Sequence, residues 1–212
     1  IPGESFYVGV TAEGFANGSA APDVVAATAK DFRIELEREV HLTATLQQVP
    51  TFNQRSDPHL ATETEWFRPS SSAGNTFEFH GLRPGEYTLS ARYSVPSSSW
   101  TGLQIEKRIV LPSSGRSEIK PSDLYGDAKL ILAIPGASFD RKVNVSLTPP
   151  TNKSAPEYRV YGWMNSSLEL GALVPGNYTL EITRDGESIH KQEDLAIEGE
   201  GFVEVPASEA SD

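Results

Sequence analysis

Cysteine is absent from the 212 residues, which excludes a disulfide framework, a thiolate metal site and a thiol nucleophile. Small extracellular domains of animals usually depend on disulfides, so the absence favours a bacterial source. Long apolar runs are missing too: no window approaches the roughly 20 apolar residues that span a bilayer as a helix, and no basic start precedes a short apolar core. The chain as given is expected to be soluble. Positive charge is the minority sign, with 18 basic against 29 acidic residues and a net charge of -11. That balance repels phosphate backbones and anionic lipid surfaces, so neither nucleic acid nor membrane insertion is expected. A helical apolar stripe is likewise lacking; only residues 23–30 are alanine-rich, and that stretch is short.

What is present is a phrase that recurs. Gly81, Leu82, Arg83, Pro84, Gly85, Glu86, Tyr87, Thr88, Leu89 has a close counterpart in Leu173, Val174, Pro175, Gly176, Asn177, Tyr178, Thr179, Leu180 and a looser one at Pro2, Gly3 and Tyr7. Proline presets the φ of a turn's second residue and glycine accepts the positive φ of the third position in a type II turn. Beyond the turn, Tyr87, Leu89 and Ala91 alternate with Thr88, Ser90 and Arg92, the period of a half-buried strand. Pro2, Pro84 and Pro175 stand 82 and 91 residues apart, a spacing suited to seven- or eight-stranded sandwiches in tandem.

The chain therefore divides, on its pattern, into residues 1–37 as the C-terminal part of a preceding module, 38–112 as one β-sandwich, 113–121 as a linker, 122–206 as a second sandwich, and 207–212 as a disordered acidic tail. In the first sandwich Val40, Leu42 and Ala44 open the module, residues 50–60 form a long polar loop, and residues 95–102 form a loop carrying Trp100. In the second, Leu130 and Leu132 open the module, and Asp185-Gly186 closes a hairpin. The fold class is all-β, built of tandem Greek-key-type modules.

An amphipathic first strand, a variable loop, a Phe77-x-Phe79 strand and then Gly-Leu-x-Pro-Gly-x-Tyr-x-Leu resemble the carboxypeptidase regulatory-like repeat. The resemblance implies a transthyretin-like (prealbumin-like), collagen-adhesin B-type sandwich, also grouped as a carbohydrate-binding-like fold. It implies modules of larger surface or periplasmic proteins, and admits an accessory domain of a metallocarboxypeptidase or outer-membrane receptor. Some relatives cross-link themselves through a core carboxylate four residues after the motif tyrosine; here Ala91 and Ile182 hold those positions, so no isopeptide is expected.

Chemistry-bearing clusters are sparse. His41, His59, His80 and His190 show no ligand spacing, so neither metal nor cofactor is expected. No nucleophile elbow or phosphate-cradling glycine loop is present, and no catalytic residue is assigned. Asn17, Asn144, Asn152, Asn165 and Asn177 each begin an Asn-x-Ser/Thr triplet, which in turns and solvent-facing strand positions is ordinary composition and in a eukaryotic secretory chain a glycosylation signal. The remaining lead is aromatic: Trp100, Tyr161 and Trp163 are candidates for stacking on sugar rings. Pro84, Gly85, Tyr87, Pro175, Gly176 and Tyr178 are structural turn residues. The leading expectation is a non-catalytic, extracytoplasmic spacer, scaffold or protein-contact module whose partners are neighbouring modules or another protein; a carbohydrate-binding module is the alternative.

Overall fold

The computed structural model describes residues 8–10, 12–16, 18–20, 36–49, 52–95, 98–135, 142–151, 154–163 and 167–206. The motif at Pro2 and Gly3, the alanine-rich stretch 23–30 and the tail 207–212 lie outside the described residues. The chain is all-β, with a single 3-10 turn at Pro121–Asp123 and no α-helix among the described residues.

A short hairpin of β1 (Val8–Val10) and β2 (Gly18–Ala20) precedes the main body. The segment after β1 is tied to the main body by a bridge between Phe15 and Arg38. The first block then runs β3 (Val40–Thr45), β4 (Asn53–Ala61), β5 (Trp66–Phe67), β6 (Ser71–Ala73), β7 (Thr76–Leu82), β8 (Gly85–Val95), β9 (Ser98–Leu111) and β10 (Gly115–Ile119). The second block runs β11 (Ala128–Ala133), β12 (Lys142–Thr148), β13 (Glu157–Trp163), β14 (Ser167–Leu173), β15 (Gly176–Arg184), β16 (Glu187–Ile197) and β17 (Glu200–Glu204).

The two blocks share a strand order. One sheet of the first block contains β10-β3-β7, and a sheet of the second is β14-β11-β17. In both, the last strand lies parallel to the first, β10 on β3 and β17 on β11. The second layer of each block is β5-β4-β8-β9 and β13-β12-β15-β16, and these two are not separate: β9 pairs with β13, so they form one sheet of eight strands. Alternation explains the layering. In β3 the burial pattern strictly alternates, with Val40, Leu42 and Ala44 facing in, and the same holds for Leu130 and Leu132 of β11. These meet Leu89, Ala91, Leu180 and Ile182 of the long sheet in one contiguous buried cluster spanning both blocks. Ala91 and Ile182, at 1% and 0% exposure, are ordinary members of it.

Three expectations are corrected. Residues 50–60, read as a loop, contain most of β4, which pairs with β8; its register jumps between Gln54 and Ser56 and again between Ser56 and His59. Those irregularities accommodate Pro58, which cannot donate to a ladder and which hides the strand from a propensity reading. Residues 95–102, expected as a loop, already contain the start of β9, so Trp100 belongs to a strand. The linker 113–121 contains β10, whose polar residues alternate outward while Ile119 turns into the core.

The turn motif also differs in detail. Gly85 has a φ of 140°, and the left-handed conformation of the motif belongs to Gly81, at 69°. The second block places Ala172 there, at 60°. Both residues sit where the pairing of the first strand slips, between Val40 and Leu42 and between Ala128 and Leu130, so each is the extra residue of a bulge. Gly85→Val is therefore strained by backbone alone, whereas Ala172 already bears a Cβ in a region that costs an L-residue about 1 kcal/mol or more. No atom lies within 4 Å of the place a Cβ would take on Gly81. Gly81→Ala is accordingly expected to lower stability by about 1 kcal/mol, and Ala172→Gly to raise it by a similar or somewhat smaller amount. Urea unfolding of the two variants checks this; equal signs for both would contradict it.

Candidate functional site

Two features stand out from the sheet: the buried ties at the β9–β13 junction and the polar outer face above them. The pairing registers Glu157 with Glu106, Tyr158 with Ile105, Arg159 with Gln104, Val160 with Leu103 and Tyr161 with Gly102. Alternation sends Leu103, Ile105, Tyr158 and Val160 inward, each at 2% exposure or less. Burying four side chains of this size favours the junction by several kcal/mol, on the order of 2 for each.

Beneath it lies a network of tyrosines. The Tyr87 hydroxyl donates to the carbonyl of Arg83, 3.0 Å away, and accepts from the Arg83 N–H at 3.1 Å. Tyr178 repeats the first contact on the Val174 carbonyl at 2.7 Å. The two motif tyrosines thus clamp the backbone of the segment that precedes them, as in a tyrosine corner. That is the physical reason for the Pro-Gly-x-Tyr spacing, and it makes Pro84, Tyr87, Pro175 and Tyr178 structural. Tyr158 of β13 accepts from the Val174 N–H at 2.9 Å and donates to the Leu124 carbonyl at 3.0 Å. Tyr125 hydrogen-bonds Tyr93 of β8, and Tyr93 reaches the Gln47 carbonyl at 3.3 Å. Lys107 of β9 completes the ties: its amine donates to the carbonyls of Asp123 at 3.0 Å and Ser154 at 2.6 Å. Burial holds this amine below the usual lysine range.

The outer face is polar and its groups are mutually fixed. Gln104 Nε2 donates to Glu106 at 2.6 Å, and Arg159 Nε donates to Glu157 at 2.7 Å while its Nη1 lies 3.7 Å from Glu106. Hydrogen bonding to Glu157 raises the Arg159 guanidinium further above its already high range. A hollow of about 220 Å³ opens beside this cluster, between Thr88, Arg108 and the prolines 149 and 150. A second, about 160 Å³, is lined by Gln104, Asn144, Tyr161, Glu181 and Thr183. Nearer β5, His59 stacks on Trp66 with ring centres 4.4 Å apart and planes 5° off parallel. Burial, reinforced by Arg92, lowers the His59 pKa.

Of the aromatic candidates, Tyr161 lies half-buried on this face against Gly102, where an added Cβ would fall 2.7 Å from its hydroxyl oxygen. Trp100 and Trp163 take positions in the same two paired strands, β9 and β13, and their side chains lie outside the described residues. The histidines are closer than their spacing suggested. Antiparallel pairing of β3 and β7 brings His41 and His80 into an edge-on contact of 4.8 Å, each 3.5 Å from its own glutamate, Glu39 and Glu78. Among the described residues, no three His, Asp or Glu side chains are arranged to hold a metal ion. The polar groups Gln104, Glu106, Glu157 and Arg159 were not singled out from sequence; they belong to two strands 50 residues apart, and only the pairing of those strands assembles them.

The chain matches no protein-family model and no curated protein. Among solved structures it is similar, at 11% identity and a TM-score of 0.22, to the Bacillus anthracis TIE protein, over 89% of this chain and 40% of that one. The chain thus spans less than half the length of that protein.

Alkaline pH tests the tyrosine network. Burial pushes the Tyr178 hydroxyl up to about 12, and it raises Tyr125 and Tyr158 as well. A group whose folded pKa exceeds its unfolded value contributes stability that is complete below the unfolded pKa, about 10 for tyrosine, and is lost as pH climbs through the folded value. Thermal midpoints are therefore expected to be level with respect to these groups below pH of about 10 and to fall between about 10 and 12. Tyr178→Phe, though less stable at neutral pH, should show a shallower fall across that window. An unchanged slope would remove Tyr178 from the network.

Proposed function

We infer that the chain is a non-catalytic, extracytoplasmic pair of β-sandwich modules of the carboxypeptidase regulatory-like, transthyretin-like kind, acting as a spacer, scaffold or protein-contact unit of a larger protein. The observation that carries this reading is the strand pairing of β9 with β13, which replaces a flexible linker by a continuous eight-stranded sheet. A unit of this sort transmits position. Its two halves cannot rotate about each other without breaking backbone hydrogen bonds, burying no new surface in return, and pulling Lys107 from the Asp123 and Ser154 carbonyls.

Charge supports the same reading of partners. A net -11 keeps a surface-displayed module apart from anionic polymers and lipids. Neighbouring modules of the same protein, or a protein partner, are the natural contacts. A second reading, carbohydrate binding, is favoured by one observation: Tyr161 lies on the outer sheet face beside a hollow, in the strand that also carries Trp163 and next to the strand that carries Trp100.

Nuclear spin relaxation tests the spacer role. The expected result is one rotational diffusion tensor fitting amides of both blocks, with small-angle scattering giving a single rigid elongated particle. Distinct correlation times for residues 40–119 and 128–205 would sink it. Gln104→Pro, which removes a ladder donor in the middle of β9, is expected to lower the unfolding midpoint of the whole chain, because the junction is shared by both blocks.

A further inference from the structure

We propose that the outer face of the eight-stranded sheet carries a furrow that binds an extended, uncharged polyhydroxylated chain, a neutral polysaccharide, lying across the strands rather than along them. The proposal rests on the carbohydrate reading given above as the second one, and assigns it a place and a ligand class.

Three hollows lie end to end on that face. The first, about 630 Å³, runs from Ala61 and Thr62 past Thr88 and Arg108 to Val110. The second, about 220 Å³, shares Thr88, Arg108 and Thr151 with the first. The third, about 160 Å³, shares Arg159 with the second and ends at Glu181 and Thr183 of β15. In sheet order the furrow crosses β4, β8, β9, β13, β12 and β15. Five strand spacings make it about 24 Å long, enough for a short run of sugar rings.

The lining selects the ligand. Thr88, Thr148, Ser154, Gln104 and Asn144 offer donors and acceptors without charge. Carboxylates and guanidinium groups can each engage two neighbouring hydroxyls of a ring. Here Gln104 holds Glu106, and Arg159 holds Glu157, at 2.6 and 2.7 Å. These groups are oriented before any ligand arrives, so little ordering entropy opposes binding. Five carboxylates (Glu63, Glu86, Glu106, Glu157, Glu181) stand against two guanidinium groups (Arg108, Arg159) along the furrow, which excludes polyanionic chains. Tyr161 supplies the apolar surface. Its ring packs onto Gly102, the strand position where the absence of a Cβ lets an aromatic lie close to the backbone, and it lines the third hollow. A sugar's C–H face needs such a surface beside its hydroxyl partners.

Affinity electrophoresis through gels containing dextran, galactomannan, xyloglucan or soluble β-1,3-glucan tests the furrow, with polygalacturonate and polylysine as charged controls. The expected result is retardation by at least one neutral polymer, none by polygalacturonate, and a dissociation constant weakened about tenfold by Tyr161→Ala but retained by Tyr161→Phe. Arg108→Ala, on an exposed side chain, should weaken it as well. Phe202→Ala, in β17 of another sheet, should change nothing. Circular dichroism of each variant establishes that it is folded. Retardation that survives both Tyr161→Ala and Arg108→Ala overturns the furrow and leaves the carbohydrate reading standing. No retardation by any neutral polymer overturns both.

Discussion

The structure depends on one edge being covered. Every open sheet ends in strands whose backbone N–H and C=O groups invite pairing, and a two-layer sandwich of four strands per sheet has such edges on both sides. In this chain the edge of β9 is filled by β13 from the next block. With that pairing, β9 and β13 are both interior strands of a sheet of eight. Everything distinctive about the molecule follows from that contact. The two cores merge into one buried cluster, and polar residues that would otherwise belong to two separate surfaces share a single face. Leu103 and Ile105 are apolar because they face the merged core. In β16, the strand in the corresponding place of the second block, Ile182 pairs with His190 where Ala91 pairs with Ile105. β16, which ends the sheet, keeps apolar packing at Ile189, Leu195 and Ile197 and carries the polar His190 opposite Ile182, while Lys191 and Glu193 pair with each other on its exposed side.

The tyrosines solve a second problem created by the same geometry. Where the chain passes from one layer to the other, backbone groups leave the ladder and must find partners elsewhere. Tyr87 and Tyr178 satisfy them from within the core, each bonding the residue four positions earlier. Because the hydroxyl must reach a carbonyl at fixed distance, the separation between turn and tyrosine cannot drift. Residues in the loops are under no such constraint, and the β12–β13 loop with its paired prolines is free to form one wall of the furrow.

This explains what was legible in the sequence. The motif could be read because its cause is local: a proline, a bulge residue and an alternating strand lie within ten positions, and even Ala172 marks the bulge once Gly81 is known to occupy the same place. Alternation in β3, β7, β8, β11 and β12 was equally plain, since one face of each is buried and the other wet. The missed strand β4 carries Asn53, Gln54, Arg55 and Ser56 and is interrupted by Pro58, so neither its period nor its composition announces it; it exists because β8 needs a partner on that side. The contact of β9 with β13, the meeting of His41 with His80, and the cluster of Glu106, Glu157 and Arg159 were invisible for a different reason. Each joins residues whose sequence positions are unrelated, and pairing of strands alone decides which side chains become neighbours.

The location of the polar cluster follows from the same logic. Inward positions of the long sheet carry the stabilising apolar area, so the outward positions of β9, β13, β12 and β15 contribute little to folding and are chemically unconstrained. Glu106 and Glu157, registered opposite each other across the junction, would repel if bare, and like charges placed in that relation destabilise a sheet. Arg159 lies next to both and offsets one of the two charges, with Gln104 donating to Glu106 from the other side. The two carboxylates and the arginine that holds them therefore sit together on the outer face, at the seam where the two blocks pair.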